Sequence, residues 1–482
     1  MFSPCAQSCR VSNPANRRDF LAQSAFGAGA LALNTLLARE AGAAGPTAAG
    51  GLLAPKQPHF PPRAERVIFL FMTGGPSHLE TFDPKPELKK LDGQQLPKSF
   101  NVAGLSLQNL DAATSKLLAS PFAFRKCGES GLEISELFPH LAEHADRLAV
   151  IRSCYHESFV HGPAITQMTT GSLILGHPSV GAWVTYGLGS ASDNLPAYMV
   201  LTDGGFRGGS AMYQSGFLPA VYQGTILHAE GAPIQNLTSP NILSGAPQRH
   251  MLDQIQAWNL QYANSRPNDS RLDARIANYE LAYRMQTAAP DLIDVNDESA
   301  ATLTAYGIGS DATTRFGRMC LLARRMVERG VRFVTLINND WDGHTECAKN
   351  HEVNAKRIDR PIAALIGDLE QRGLLDSTLI VWTGEFGRTP IMQGNLGRDH
   401  SPYGFSSWLA GAGVRGGQAI GATDEFGFRA IEDKVHVHDL HATMLSLLGL
   451  DHTRLTYLFA GREQRLTDVG GYNDLAARLA GA

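Results

Sequence analysis

Arg332-Phe333-Val334-Thr335-Leu336-Ile337-Asn338-Asn339-Asp340-Trp341-Asp342-Gly343-His344 reads as a strand that empties into a loop carrying ligand chemistry. The first six residues have the β-branched and aromatic content of a strand. Gly343 marks a turn, and Asp340 and His344 stand four apart within it. A carboxylate and an imidazole delivered together offer a divalent metal a hard oxygen and a borderline nitrogen, both able to bind deprotonated. Taken alone, the pair reads as a turn aspartate and a hydrogen-bonded histidine. Two later segments shift the balance. Leu379 to Thr383 reads as a buried strand emptying into Gly384-Glu385-Phe386-Gly387-Arg388, and Gly394 to His400 reads as a glycine-rich loop. Ligands gather at the carboxyl ends of strands in open α/β sheets. The expected metal ligands are Asp340, His344 and His400, with Glu385 as a candidate fourth group.

Outward from this stretch, strands and helices alternate. Arg66 to Met72 is a continuous apolar run stopped by Thr73-Gly74-Gly75-Pro76, as in a buried parallel strand. Leu148 to Ile151 and Ala197 to Leu201 read as further strands. Helical spacing marks Leu132 to Asp146, Leu272 to Met285, Arg315 to Arg329 and Ile358 to Gly373. Pro163 to Thr170 reads as a helix stopped by Gly171, and Asp439 as the cap of a last helix. His436 and His438 alternate with valines and read as one face of a strand. The expected fold is a three-layer α/β/α sandwich with a mostly parallel central sheet. The expected domain runs over 64–482, with a loop-rich insertion at about 202–270.

The first segment reads as an address. Arg17-Arg18 precedes the apolar run Ala25 to Leu37, and small residues follow at Ala41 to Gly45. Charged, apolar and small-residue parts in that order make a secretory signal, and the arginine pair suggests the twin-arginine route. Segment 1–45 is thus an expected signal peptide, and 46–63 an expected linker rich in Pro, Gly and Ala. The apolar run falls short of the roughly 20 residues of a stable span. A periplasmic or extracellular location follows, with the twin-arginine machinery as an export partner and no integral span after signal removal. The chain is 43% hydrophobic with a net charge of −4 and has no basic stripe, which speaks against nucleic acid as a partner. Cys127, Cys154, Cys320 and Cys347 lack zinc-type spacing and allow one or two disulfides that sequence cannot pair.

The order of motifs resembles the alkaline phosphatase and sulfatase superfamily over nearly the whole expected domain. The phrases Met72-Thr73-Gly74-Gly75-Pro76-Ser77-His78, Thr81-Phe82-Asp83-Pro84-Lys85-Pro86 and Gly384-Glu385-Phe386-Gly387-Arg388-Thr389-Pro390 resemble its twin-arginine-exported branch, the domain of unknown function 1501 family. In catalytic superfamily members, a Ser, Thr or Cys nucleophile opens a helix ten residues before a Thr-Gly glycine; here His161 holds that place before Gly171. One metal site implied by the resemblance matches Asp340, His344 and His400. The second would need two aspartates and a histidine where Thr73, Glu385 and Phe386 stand. The resemblance therefore implies one divalent ion, zinc, calcium or manganese, or a rearranged site using His161 or His78, rather than the two-metal arrangement.

Each residue keeps a plainer reading. His161 is a ligand, a nucleophile or base, or a helix-start histidine bonding a neighbour. Glu385 is a ligand, a general base, or the ion-pair partner of Arg388 or Arg398. Arg388 and Arg398 are candidate binders of sulfate or phosphate oxygens. Arg388 is grouped with His161 and Glu385 as catalytic, and Arg398 with His78 as substrate-binding. The function expected is an exported metal-dependent hydrolase of sulfate or phosphate esters with a degenerate active site. A small-molecule or polysaccharide ester is its substrate. The alternative is a non-catalytic binding or assembly protein that retains the fold.

Overall fold

Among the described residues, nine strands make the central sheet. In chain order they are β1 (Arg66–Met72), β2 (Ala149–Tyr155), β3 (Tyr198–Thr202), β4 (Thr225–His228), β5 (Phe333–Asn338), β6 (Thr378–Thr383), β7 (Phe405–Ala410), β8 (Gln418–Ile420) and β9 (Val435–His436). Their order across the sheet is β8-β2-β7-β6-β1-β5-β3-β4, with β9 also pairing β2. The computed structural model describes residues 51–97, 100, 115–228, 245–264 and 270–480. The expected signal segment and the first five residues of the expected linker, 46–50, lie outside them.

β1 is the spine, pairing in parallel with β5 on one side and β6 on the other. All but the first of its residues are buried, which is why the run is apolar on both faces. β7 runs antiparallel to both its neighbours, while every other pairing in the sheet is parallel. Phe71 pairs with both Ile337 and Thr383, so the carboxyl ends of β1, β5 and β6 lie level on one edge. That edge carries the site.

Helices cover both faces. Those that bear on the site and its core are labelled in chain order α1 (His161–Thr170), α2 (Val180–Leu188), α3 (Thr314–Glu328), α4 (Cys347–Gln371) and α5 (Val437–Leu447). Ile68, Leu70 and Met72 share a core with Phe316 and Met319 of α3 and Ile358, Ile362, Leu365 and Leu369 of α4. On the other face, α2 packs so closely that a side chain at Gly181 would strike the Tyr198 ring. The outcome is the expected α/β class with a largely parallel sheet between helical layers.

Four local expectations are corrected. Leu132 to Asp146 is not a helix: Leu132–Ser135 is a strand paired with Phe124–Cys127, and Leu141–Arg147 is a 3₁₀ turn. Pro139 breaks the helical spacing at its centre. α4 begins at Cys347, eleven residues before the expected start, because the buried positions ahead of Ile358 are Cys347, His351, Asn354 and Ala355, two of them polar, which make no apolar stripe. His436 and His438 do not share a strand face: His436 ends β9 and caps α5, and His438 lies on α5. Asp439 sits inside the cap, its Oδ2 accepting from the His436 N–H at 2.8 Å. The fourth concerns Gly394 to His400, which close an antiparallel ribbon of Gly387–Gln393 and Gly397–Ser401, with His400 paired to Arg388 on a strand. The expected insertion at 202–270 holds β4 and a helix, Ala246–Asn264, with 229–244 and 265–269 outside the described residues. The four cysteines are free thiols. No helix among the described residues is long and apolar enough to cross a membrane.

Candidate metal centre

The loop after β5 is set by Trp341. Its side chain is fully buried, its indole N–H donates to Asn338 Oδ1 at 2.7 Å, and its backbone N–H donates to the Thr73 carbonyl at 3.1 Å. This approach requires glycine at Gly74, where φ is +114° and a Cβ would strike the Trp341 and Asp342 backbone. Burying the indole forces the residues on either side outward or onward. Asp340 takes a left-handed φ of 79°, and its side chain is 77% exposed, 3.7 Å from Arg357. Its carbonyl is held by Asn350 and Asn354. Asp342 is the carboxylate delivered to the strand edge.

Asp342 meets three imidazoles. Its Oδ1 lies 3.1 Å from His344 Nε2 and 3.3 Å from His400 Nε2, and its Oδ2 lies 3.1 Å from His161 Nε2. The His344 and His400 Nε2 atoms are 2.9 Å apart. The ligand atoms of His161, Asp342, His344 and His400 all fall within 4.8 Å of one another. Each outer nitrogen has an acceptor: His161 Nδ1 on Glu385 Oε1 at 2.6 Å, His400 Nδ1 on the Phe159 carbonyl at 2.7 Å, and His344 Nδ1 on Gln393 Oε1 at 2.6 Å. Protons on the outer nitrogens leave three Nε2 lone pairs facing one carboxylate. That is the orientation in which protein histidines bind a metal.

Such a cluster requires positive charge at its centre. Burial alone would raise the Asp342 carboxyl, but the three imidazoles and Arg388 hold it far below the usual carboxylate range. Burial opposes charge on His161, yet its bonds to Asp342 and Glu385 outweigh that and raise its pKa. The bond to Asp342 raises His344. Burial lowers His400, with Asp342 offsetting it only in part. A cation with nitrogen and oxygen preference therefore fits the donor set.

The expected site residues divide. His161, His344 and His400 come together. Asp340 does not join them: with the Trp341 indole buried, its side chain turns to solvent and the carboxylate beside the histidines is that of Asp342. Glu385 is fully buried and pairs with neither arginine; its Oε1 accepts from the Gly74 N–H and from His161. Arg388 is not free to bind a substrate. Buried, it donates to the carbonyls of Gly74, Gly75 and Arg398 and to Asp342 Oδ1 at 2.6 Å. Arg398 is spent likewise, on Glu80 at 2.7 Å and on the carbonyls of Leu118 and Thr389. His78 is buried too, its Nε2 on the Gly427 carbonyl at 2.8 Å. Arg388 thus holds the turn after β1, and Arg398 and His78 are taken up by buried partners of their own. Sequence reasoning missed Asp342, although a buried tryptophan beside it was a usable signal. It also missed Arg207, whose Nη2 donates to Asp342 Oδ2 at 2.5 Å from the segment after β3. Phe386 was read only as a lost ligand; its ring packs 4.9 Å from the His161 ring and 4.4 Å from that of His400. Thr73 is tied to Asn339 Oδ1 at 2.7 Å.

Beside the cluster lies a cleft of about 950 Å³, lined in part by Asp203, Arg207, Arg315, Asn339, Asp340 and Arg357. Its walls are polar and its mouth is at the same sheet edge.

A sequence search of curated proteins finds no match. Among solved structures, the chain is similar to the PsFucS1 sulfatase from Pseudoalteromonas sp., at 12% identity and a TM-score of 0.35, over 87% of this chain and 71% of that one. It is also similar to the lipoteichoic acid synthase LtaP from Listeria monocytogenes, at 8% identity and a TM-score of 0.37, over 86% and 78% of the two chains. Alkaline phosphatase from the Antarctic bacterium TAB5 is similar at 10% identity and a TM-score of 0.31, over 82% and 99%. The model of the family described as protein of unknown function DUF1501 matches residues 64–475, most of the chain, and the protein belongs to that family.

Proposed function

We propose that the protein is a single-metal hydrolase of sulfate or phosphate esters, holding one divalent ion on His161, Asp342, His344 and His400. The observation that carries this reading is the trio of Nε2 atoms aimed at one carboxylate, each outer nitrogen fixed by an acceptor. Three imidazoles favour zinc over manganese and, most of all, over calcium, which prefers oxygen ligands. When bound, the ion supplies a Lewis acid for an ester oxygen and lowers the pKa of a water. His161 acts as a ligand rather than a nucleophile, since both its nitrogens are engaged. Glu385 positions that ring by holding the proton on Nδ1. Arg388 positions Asp342 and balances its charge. Phe386 keeps water from the inner side of His161 and His400, and with Thr73 it fills the places where a second ion's ligands would be expected.

Elemental analysis of the purified protein, followed by assays on aryl sulfates and aryl phosphates with zinc or manganese, tests this reading. One equivalent of metal and metal-dependent turnover are expected. Protein without metal at the four residues overturns the reading. One equivalent of metal with no turnover on any ester makes the protein a binding or assembly module of the same fold. The same proposal places the protein in the periplasm by the twin-arginine route, on the strength of Arg17-Arg18 and the apolar run after it. Replacing both arginines by lysine should leave the protein in the cytoplasmic fraction.

A further inference from the structure

Two features meet at Arg207: the histidine cluster and the cleft beside it. The residue touches Asp342 through one nitrogen, Nη2 to Oδ2 at 2.5 Å, and it lines the cleft. Its side chain is 36% exposed. The bond to Asp342 is its one hydrogen bond among the described residues. Arg388 on the other carboxylate oxygen is the contrast: it is fully buried and bonds three backbone carbonyls, so it cannot leave. Asp342 thus has one fixed guanidinium and one that is anchored at a single point. The movable one reaches the oxygen that also faces His161. A divalent cation among the four ligands supplies the positive charge that Arg207 now provides, and it repels a guanidinium so near. A guanidinium released toward the cleft presents a planar fork of donors, which matches two oxygens of a sulfate or phosphate group. Arg388 and Arg398 are fully buried, with most of their donors already engaged, so neither reaches the cleft.

We propose that Arg207 is the oxyanion-recognition residue of this protein and that it couples the cleft to the metal centre. A cation on the cluster displaces its guanidinium from Asp342, and the freed group binds a sulfate- or phosphate-class anion in the cleft. The inference rests on the metal-centre reading above. The coupling is reciprocal, so the anion tightens metal binding by the factor with which the metal tightens anion binding.

The test uses the full-length protein stripped of metal. Zinc affinity is measured against a competing chelator, in sodium sulfate and in sodium chloride at equal ionic strength. Sulfate should tighten zinc binding of the wild type by about threefold or more. Arg207→Ala should bind zinc about fivefold more tightly than wild type in chloride, because an exposed ionic competitor of Asp342 is gone. It should also lose the sulfate effect. Arg207→Gln should behave as Arg207→Ala, since it too carries no charge. A variant that keeps the sulfate effect overturns the assignment of anion recognition. A variant with wild-type zinc affinity in chloride overturns the displacement from Asp342. Wild-type protein that takes up no zinc at all overturns the metal-centre reading itself, an outcome distinct from the other two.

Discussion

Asp342 and Asp340 are two residues apart and chemically identical, yet only Asp342 faces the histidine cluster. The difference lies in the backbone. Asp340 sits at a positive φ with its carboxylate in solvent, while Asp342 follows the buried indole into the cluster. Asp342→Asn should therefore lose most of the bound metal, and Asp340→Ala should keep it. Elemental analysis of the two variants distinguishes them, and equal metal content in both would remove Asp342 from the site. A second prediction concerns Glu385, whose Oε1 fixes the His161 ring. Glu385→Gln keeps the shape and an acceptor oxygen but removes the charge that makes the imidazole a better ligand. Metal affinity should fall about tenfold, the low end for a residue that orients a ligand. An unchanged affinity would reduce Glu385 to packing. The spacing of Asp340, His344 and His400 led to the loop and to two of the histidines of the cluster, but the carboxylate beside them is that of Asp342. A four-residue interval between ligands is visible in a sequence; the direction of each side chain is not, unless the burial of the neighbouring tryptophan is used to set it.

At the scale of elements, the strands were legible and their connections less so. β1, β5 and β6 show themselves as unbroken apolar runs because both of their faces are covered. The first half of α4 was hidden because its inward residues are polar, and they serve the loop rather than the core. Asn354 holds the Asp340 carbonyl, and His351 holds the Ser77 N–H at 2.7 Å. The arginines misled for a related reason: a guanidinium in a glycine-rich loop reads as an anion binder, but here the segment is a ribbon and Arg398 lies beneath it. Burial opposes the charge on Glu80, and Arg398 outweighs that and holds its pKa low. Arg398→Met should leave that carboxylate buried without its partner, a loss of about 3–5 kcal/mol. Urea denaturation reads it directly. Pairing the change with Glu80→Leu should restore part of the loss, whereas an Arg398→Met protein as stable as wild type would return the residue to a role in binding.

Across the whole molecule, buried neutral histidines should make the fold sensitive to acid. His156 and His351 are lowered to about 4 and His441 to about 3, each chiefly by burial. His351 shows the structural cause: Nδ1 donates to the Cys347 carbonyl at 2.9 Å and Nε2 accepts from Ser77, so a second proton must break the latter bond. In the unfolded chain these rings titrate near 6.5. Between that value and about 4 the unfolded state binds more protons than the folded state, so stability rises with pH across this window. It is fully present above the unfolded value and lost as pH falls toward the folded ones. Each ring costs roughly 3 kcal/mol at pH 4, and three such terms rival the roughly 5–15 kcal/mol stability of a typical domain. Glu157, held down to about 2 first by its bond to His436, adds its own loss only below the ordinary carboxylate range. Acid unfolding of the metal-free protein should therefore begin between pH 6 and 5, above the range where carboxylates protonate. Urea denaturation at stepped pH measures the slope, and His351→Gln should reduce it by about one proton, since an amide keeps an acceptor for Ser77 without titrating. A stability that stays flat from pH 7 to pH 5 would mean that these rings carry their protons in the folded state, contrary to their burial and to the bonds that His156 and His351 accept.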